Sequence, residues 1–357
     1  MAQKYAYLDL DGVAYVGACI AEKTAYIWKT KDGVEPVQES PEFPKAKEAK
    51  QWYEDRVGFE EIDPVEWERH TIPKIQDLSV ALAGVDLELS KWMKSCQDLF
   101  DKDVIFKGFL TCSGIKNKDV HDLQNRYQHT RFVNYKEAEG KDYPHWEEKV
   151  KPMYLSECRN HLLNVYDWIK MSPPKLEADA IVVGMAERKG QNAVVGLKDK
   201  DLMQVMDSNY INMNDTPSRR KLISTTNLGG LWIKKNAKGV KSLEGDGFKL
   251  IAAQTPQGDA SDGYKGIYRF GPVDAYELLK DAESVKECCE LLVELYKGKF
   301  PDGIEYPPWQ DAGKVIKRTW QELLIQHMRL AYHERGSKDK LTPIERYFNG
   351  EDPVYKH

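Results

Sequence analysis

The sequence predicts an α/β protein built on a doubly wound, mainly parallel sheet. Short apolar runs over 5–10, 104–110 and 193–197 have the length and composition of buried strands. Helical patterns alternate with these runs, which is the order that a parallel sheet with crossover helices requires. Towards the carboxyl end the pattern becomes helical throughout, so a helical region is expected to follow the sheet.

Turn-forming residues separate the predicted elements in the first half of the chain. The opening strand breaks at Gly12, and a second extended segment is expected over 25–29. A Glu-rich stretch over about 35–70 contains four prolines and one helical piece at 45–56. We expect a solvated insertion there, with contact to a partner as the alternative. A helix over 78–100 then precedes the second core strand.

Proline and apolar spacing define the elements of the second half. A helix over 153–171 is expected to stop at the two prolines that follow it, because proline cannot continue a helix. A new helix begins near Glu177, and a strand is expected over 210–213. After Asp259 the pattern is helical, and the last strong helix is predicted over 314–334.

Length and composition limit the classes of protein. The chain has 357 residues, of which 41% are hydrophobic and 31% charged, so it folds rather than remaining disordered. We expect a core over 1–213 and a region over 214–357 with the remaining core strand and helices. We expect no secretory signal, and the sequence has no apolar stretch of the roughly 20 residues that a membrane span needs. Its six scattered cysteines fit neither disulfides nor a zinc site, and a reducing cytoplasm is expected.

Acidic residues fall into four groups next to predicted strand and helix ends. They are Asp11, Glu177 with Asp179, Asp199 with Asp201, and Asp259 with Asp262. Asp11 and Asp199 each follow a predicted parallel strand, and ligands bind outside the carboxyl ends of such strands. Any one group could equally be a turn or a helix cap. The prediction of one shared cleft therefore depends on the whole set.

A cluster of this kind predicts bound metal. Carboxylates held close together raise one another's pKa, so clustering them without a cation is unfavourable. Ligands that are all oxygen suit Mg²⁺ or Mn²⁺, and we expect two ions. Two such ions about 4 Å apart can activate water and stabilise the leaving oxygen when a phosphodiester is hydrolysed.

The distribution of charge changes what the net charge of −5 implies. An acidic chain argues against a nucleic-acid partner as long as every carboxylate is counted as surface. Segment 103–136, however, has six basic residues against three acidic ones, and segment 215–249 has eight against three. With the grouped carboxylates set aside, the rest of the chain is net positive, which favours a phosphate-backbone partner.

Four motifs in order resemble those of the 5′-nuclease superfamily. They are Y-L-D-L-D-G over 7–12, E-A-D-A over 177–180, the D-K-D segment over 196–204, and G-D-A-S-D-G within 258–266. The superfamily includes flap endonucleases and the 5′ nuclease domain of bacterial DNA polymerase I, and the sequence is most similar to phage 5′→3′ exonucleases. The resemblance covers about 5–279.

The resemblance implies a PIN-like core with a basic helical arch over about 103–136 and a C-terminal helix-hairpin region. The catalytic residues it implies are Asp11, Glu177, Asp179, Asp199 and Asp201, and the metal ligands add Asp259 and Asp262. The DNA-binding residues it implies are Lys116, Lys118, Arg126, Arg131, Gly263, Lys265 and Gly266. It also implies a K⁺ ion at the helix-hairpin.

The function that the resemblance implies is a divalent-metal-dependent 5′→3′ exonuclease or flap endonuclease. It would leave 5′-phosphate and 3′-hydroxyl products in phage DNA replication. The expected partner is DNA with 5′ ends or flaps, with an RNA–DNA hybrid left open, and replication proteins are further expected partners. We also expect the protein to be a monomer in the host cytoplasm and to have no membrane partner.

Three positions depart from the pattern of the family. Cys112 stands at a family aspartate, Gln128 at the lysine that reaches the scissile phosphate, and Ala180 at the second aspartate of E-A-D-D. Cys112 is expected to be a small buried side chain. These departures motivate one alternative, a catalytically weakened DNA-binding protein of the same fold.

A second alternative is a phosphatase of the haloacid-dehalogenase type, which the D-L-D-G motif also resembles. Asp9 would be the nucleophile and Asp11 the general acid, and segment 222–225 and the G-D-A-S-D segment over 258–262 could supply later motifs of that family. This interpretation assigns no role to the basic segment over 103–136 or to four of the grouped carboxylates, namely Glu177, Asp179, Asp199 and Asp201.

Overall fold

The computed structural model describes most of the chain, namely residues 2–34, 36–59, 61–112, 151–173, 176–236, 239–258, 266–306, 316–333, 335 and 338–356. These residues form two compact units. The first unit consists of the described parts of 1–11, 91–147 and 166–357, and the second of the described parts of 12–90 and 148–165. The boundary expected at 213/214 falls inside the first unit.

The described residues form twelve strands and ten α-helices. The strands are β1 (Tyr5–Asp9), β2 (Glu22–Thr30), β3 (Trp67–Ile75), β4 (Ile105–Leu110), β5 (Ile169–Met171), β6 (Ala193–Leu197), β7 (Asn209–Asn212), β8 (Leu222–Ser224), β9 (Leu231–Lys235), β10 (Lys241–Gly245), β11 (Ile304–Tyr306) and β12 (Ile316–Arg318). The helices are α1 (Asp11–Ile20), α2 (Ala46–Gly58), α3 (Leu78–Leu99), α4 (Leu155–Val165), α5 (Ala178–Lys189), α6 (Gly247–Gln257), α7 (Pro272–Leu279), α8 (Val285–Lys299), α9 (Trp320–Ala331) and α10 (Pro343–Phe348).

A six-stranded, mainly parallel sheet lies at the centre of the first unit. Its strand order is β5-β4-β1-β6-β7-β8, and β8 alone runs antiparallel, against β7. All five residues of β6 are buried, as expected for a parallel strand covered on both faces. The prediction of an α/β fold with a mainly parallel sheet is confirmed, while the PIN-like core and the arch remain predictions.

Helix α5 covers one part of this sheet with an apolar surface. Val182 and Val183 pack in one buried cluster with Tyr7 of β1, Val195 of β6 and Tyr210 of β7. Burial of an aliphatic or aromatic side chain of this size contributes roughly 1.5–3 kcal/mol. This packing fixes the start of α5 relative to the ends of β1 and β6.

A second core surrounds helix α6. Every residue of α6 from Gly247 to Pro256 is buried, and a helix that is buried on all sides lies in the interior of a domain. Phe248 and Ile251 pack with Tyr296 of α8 and Leu324 of α9. The helical region expected after the sheet is therefore present within the first unit.

The second unit contains the Glu-rich segment. Strands β2 and β3 form an antiparallel pair, and α2 follows the helical piece that was expected at 45–56. Trp28 of β2 stacks on Tyr53 of α2 with a ring separation of 3.8 Å, and its Nε1 donates a hydrogen bond to the Ala49 carbonyl at 2.8 Å. The segment is therefore partly a packed structure, and β3 within it was not anticipated.

Two predicted helices are shorter than expected because strands replace their ends. The helix expected over 153–171 ends at Val165, and β5 instead pairs with β4. The helix expected over 314–334 begins only after Thr319, whose hydroxyl accepts the backbone N–H of Glu322 at 3.2 Å. Strand β12 precedes it and pairs with β11, so the expectation that the chain is entirely helical after Asp259 was wrong.

A buried ion pair attaches the segment after α9 to α5. Arg335 is fully buried, and its Nε lies 3.0 Å from both carboxylate oxygens of Glu187. Its Nη1 donates to the His333 carbonyl at 2.5 Å and its Nη2 to the Gln204 carbonyl at 3.1 Å. At Gly184 a Cβ would lie 2.2 Å from the Arg335 carbonyl oxygen, so a side chain there would prevent this close approach.

Replacing Arg335 by alanine is expected to lower the free energy of unfolding by about 3–5 kcal/mol, because Glu187 would stay buried without its partner. Urea denaturation monitored by circular dichroism measures this loss. The matched control is Lys94→Ala, which breaks the exposed 2.9 Å pair between Lys94 and Asp98. That change is expected to cost less than about 1 kcal/mol, and equal losses in the two variants would contradict a stabilising role for the buried pair.

Candidate metal centre

Acidic side chains collect at the carboxyl edge of the parallel sheet. Asp9 is the last residue of β1, and Asp11 is the first residue of α1. Asp199 follows the end of β6, which pairs with β1 in parallel. Because parallel neighbours end at the same edge, these carboxylates from separate parts of the sequence become neighbours.

Thr111, directly after β4, connects two parts of this edge. Its backbone N–H donates to both carboxylate oxygens of Asp11, at 3.1 and 3.3 Å. Its hydroxyl oxygen accepts the backbone N–H of Ala178 at 3.0 Å. Asp9 in turn accepts the backbone N–H of Asp11 at 3.1 Å. These bonds fix the Asp11 carboxylate relative to the start of α5.

The start of α5 contributes two further carboxylates. Glu177 is the residue that precedes the helix, and Asp179 lies in its first turn. The positive end of the helix dipole favours negative charge at both positions. Glu177 makes no capping hydrogen bond through its side chain.

Asp199 and Asp201 are arranged by a 3-10 turn over Lys200–Gln204. Asp199 caps this turn by accepting the backbone N–H of Asp201 at 3.0 Å. Asp201 accepts a hydrogen bond of 2.6 Å from Nε2 of Gln254, which lies on α6. The Gln204 side chain donates to Gln254 Oε1 at 2.9 Å and so fixes the orientation of that amide.

Burial and mutual repulsion raise the pKa values of three of these carboxyl groups. Burial raises the pKa of Asp179 to about 7, with smaller contributions from Asp199, Asp201 and Asp11. Burial and the neighbouring carboxylates, first Asp11 and then Asp179, hold the pKa of Asp9 well above its usual range. Burial also raises the pKa of Asp201, although nearby His333 partly offsets this effect. The cluster therefore favours a bound cation or bound protons at neutral pH.

His333 joins this cluster from the segment after α9. One ligand atom from each of Glu177, Asp179 and His333 lies within 4.8 Å of the other two, so this group could hold a metal ion. Nδ1 of His333 is 3.6 Å from Oδ2 of Asp179. Its Nε2 is buried and has no hydrogen-bond partner among the described residues.

Sequence reasoning did not identify His333. The residue lies beyond the segment covered by the resemblance, and the apolar pattern predicted that it belonged to the last turn of a helix. The helix ends at Ala331 instead. Thr111 and Gln254 were also missed, because nothing in their local sequence indicates that they bind the carboxylates.

Several predicted site residues lie outside the described residues. These are Lys116, Lys118, Arg126, Gln128, Arg131, Asp259, Asp262, Gly263 and Lys265. Gly266 is described and has a left-handed φ of +64°, and a Cβ there would lie 2.2 Å from the Pro256 carbonyl oxygen. Glycine is therefore required at that position by the backbone itself.

The structure describes two of the three positions at which the sequence departs from the pattern of the 5′-nuclease superfamily. Cys112 is half-buried rather than fully buried as expected, and its backbone N–H donates to the Ser172 hydroxyl at 3.1 Å. Ala180 is completely buried in the first turn of α5. A second aspartate there would bury its carboxylate, which is unfavourable without a partner.

The basic segment over 215–249 is less exposed than its composition suggests. Arg220 is buried and donates to Ser95 Oγ at 2.7 Å and to the Met213 carbonyl at 3.1 Å. Lys249 is also buried, and it donates to the Lys280 carbonyl at 2.8 Å. These two cations stabilise the fold and do not belong to a phosphate-binding surface.

No protein-family model matches the chain, and a search of curated proteins finds no significant match. Among the described residues, no helix combines the length and apolar character that crossing a membrane requires.

The raised pKa of Asp179 predicts how stability depends on pH in the absence of metal. The folded state holds the proton up to about pH 7, whereas the unfolded chain releases it near pH 4. Stability therefore falls as the pH rises from about 4 to about 7, by up to roughly 4 kcal/mol. Urea denaturation in EDTA across this range measures the fall.

Asp179→Asn is expected to remove the part of this dependence that Asp179 contributes, because the amide does not titrate, while the contributions of Asp9 and Asp201 remain. Asp215→Asn changes an exposed carboxylate and is expected to leave the dependence as in the wild type. The same slope in wild type and Asp179→Asn would show that Asp179 does not titrate in this range.

Proposed function

We propose that the protein is a divalent-metal-dependent nuclease that hydrolyses DNA phosphodiesters at 5′ ends or flaps. One observation carries this proposal: carboxylates from three separate segments meet at the carboxyl edge of the parallel sheet. They belong to the end of β1, the start of α5 and the turn after β6. The raised pKa values of Asp9, Asp179 and Asp201 indicate that this edge is suited to a cation.

The donor set fits a divalent metal ion. Carboxylate oxygens are the ligands that Mg²⁺ and Mn²⁺ prefer. We propose that Asp11, Glu177, Asp179, Asp199 and Asp201 hold two such ions. Bound there, such ions would supply an activated water and stabilisation of the leaving oxygen for hydrolysis of a phosphodiester.

The chain's own groups orient this ligand set. Thr111 holds the Asp11 carboxylate through its backbone N–H, and Gln254 holds Asp201 through its amide. These outer partners restrict the carboxylates to one arrangement, as partners of metal ligands commonly do. We propose 5′-phosphate and 3′-hydroxyl products, and action within a host cytoplasm during phage replication.

Exposed cations supply a surface for the phosphate backbone in this proposal. Arg219, Lys221, Lys235 and Lys241 are exposed on the described part of segment 215–249. Lys235 and Lys241 face each other across the β9–β10 pair. Such positive charge attracts nucleic acid without regard to sequence. Lys234 contributes less positive charge to this surface, because its ammonium group is paired with the Glu244 carboxylate at 2.9 Å.

The phosphatase alternative fits the geometry less well. It would need segment 222–225 beside Asp9, at the carboxyl edge of the parallel strands. Ser224 instead pairs with Asn209, the first residue of β7, and the Thr225 N–H donates to the Ser208 carbonyl at 2.8 Å. This end of β8 therefore lies at the amino edge of the parallel sheet, opposite Asp9.

Asp201→Asn is expected to lower the rate of cleavage of a 5′-labelled DNA flap about 100-fold or more, because it removes a ligand charge and not merely an outer partner. The reaction is followed with Mg²⁺ or Mn²⁺ on a denaturing gel. Asp215→Asn is the matched control, since it changes an exposed aspartate in the same unit, and it is expected to retain full activity.

Two outcomes would replace the nuclease proposal. Tight duplex binding without cleavage by the wild type would favour the DNA-binding alternative. Hydrolysis of a small phosphomonoester that is lost in Asp9→Asn but kept in Asp201→Asn would favour the phosphatase.

A further inference from the structure

We infer that His333 is a direct metal ligand, and that the Glu177–Asp179–His333 position selects a borderline transition-metal ion of the Fe²⁺, Co²⁺, Ni²⁺ and Zn²⁺ class over Mg²⁺. The inference deepens the proposed function and rests on it for the use of the carboxylate edge as a metal centre. It adds a nitrogen ligand that the four acidic motifs do not contain.

Distances within the group are close to those of a coordination shell. Ligand atoms of Glu177, Asp179 and His333 lie within 4.8 Å of one another. Three ligands that are each about 2.0–2.2 Å from one ion lie at most about 3.8 Å apart when they are equally spaced around it. Side-chain movements of up to about 1 Å therefore bring all three atoms onto a single ion.

The hydrogen bonding of His333 points to a ligand rather than to a simple counter-ion. An imidazolium that served only to balance charge would donate a short hydrogen bond to a carboxylate. The separation between Nδ1 and Asp179 Oδ2 is 3.6 Å, which is too long for such a bond. Nε2 is buried without a partner, and a buried polar atom in that state is unfavourable unless an ion or a hydrogen-bonding group binds that nitrogen.

The backbone of His333 is held in place independently of the carboxylates. Arg335 donates to the His333 carbonyl and is itself bound to Glu187. The Tyr332 hydroxyl donates to Asp339 at 2.6 Å, and so does the backbone N–H of Arg335 at 2.8 Å. This network positions the imidazole beside Asp179 before any ion binds.

The donor types determine which metals fit. Imidazole nitrogen suits Fe, Ni and Zn, whereas Mg²⁺ prefers oxygen ligands and keeps several of its waters. A site with two carboxylates and one imidazole therefore gains affinity for the first class and little for Mg²⁺.

Co²⁺ binding to the full-length protein tests the inference. Proton NMR of the Co²⁺-loaded wild type is expected to show a strongly shifted, exchangeable imidazole N–H signal, which His333→Gln removes. Titration is expected to show a loss of Co²⁺ affinity of about 100-fold or more in His333→Gln, because a direct ligand is lost and not merely an outer partner, with Mg²⁺ affinity changed by less than about threefold. Circular dichroism in EDTA establishes that each variant folds.

His70→Gln is the matched control, because His70 is a partly exposed histidine of the second unit that also lies beside a carboxylate, Glu68, at 2.9 Å. It is expected to leave the signal and the affinity unchanged. Absence of the shifted signal in the wild type would overturn the inference, and so would its persistence in a folded His333→Gln variant or an unchanged Co²⁺ affinity.

The inference and the proposed function fail separately. If the protein cleaves flaps with Mg²⁺ but its Co²⁺ complex lacks a histidine signal, His333 is not a ligand and the nuclease proposal stands. If Co²⁺ is bound by a histidine but the protein cleaves no DNA, His333 is a ligand and the nuclease proposal is overturned.

Discussion

The parallel pairing of β1 with both β4 and β6 is the constraint on which the candidate centre depends. Three adjacent strands that run in the same direction deliver their carboxyl ends, and the residues after them, to one edge. This arrangement places Asp11, Thr111 and Asp199 side by side although they are far apart in sequence. Had one of these strands been antiparallel, its polar terminus would lie at the opposite edge, as the end of β8 does.

The carboxylates at this edge are held in position by hydrogen bonds rather than by buried cations. Thr111, Gln254 and backbone N–H groups each bind one carboxylate. The large cationic side chains nearby serve other purposes, since Arg335 is paired with Glu187 and Arg220 binds backbone carbonyls. His333 and Lys200 offset part of the repulsion at Asp201. The edge consequently stays net acidic, which is the condition for attracting a metal ion.

The sequence predicts the sheet and its acidic termini well, because both leave local signals. The buried runs of β1, β4 and β6 are short and apolar, and each acidic motif stands directly at a strand or helix end. His333 and Gln254 leave no such signal, since one follows an amphipathic helix and the other lies within an apolar one. Their roles arise from tertiary packing, as do strands β5 and β12, where pairing with a neighbouring strand outweighed a helical pattern.

The hydrogen bonds of Gln204 have a consequence for how the centre assembles during synthesis. Its amide donates to Gln254 Oε1 and to the Ala331 carbonyl at 2.6 Å, so the turn with Asp201, helix α6 and the end of α9 meet at one side chain. A nascent chain that has emerged only as far as β7 already contains all the carboxylates of the edge, but neither the amide that orients Asp201 nor the imidazole of His333. The centre is therefore completed only after the sheet that supports it has been synthesised.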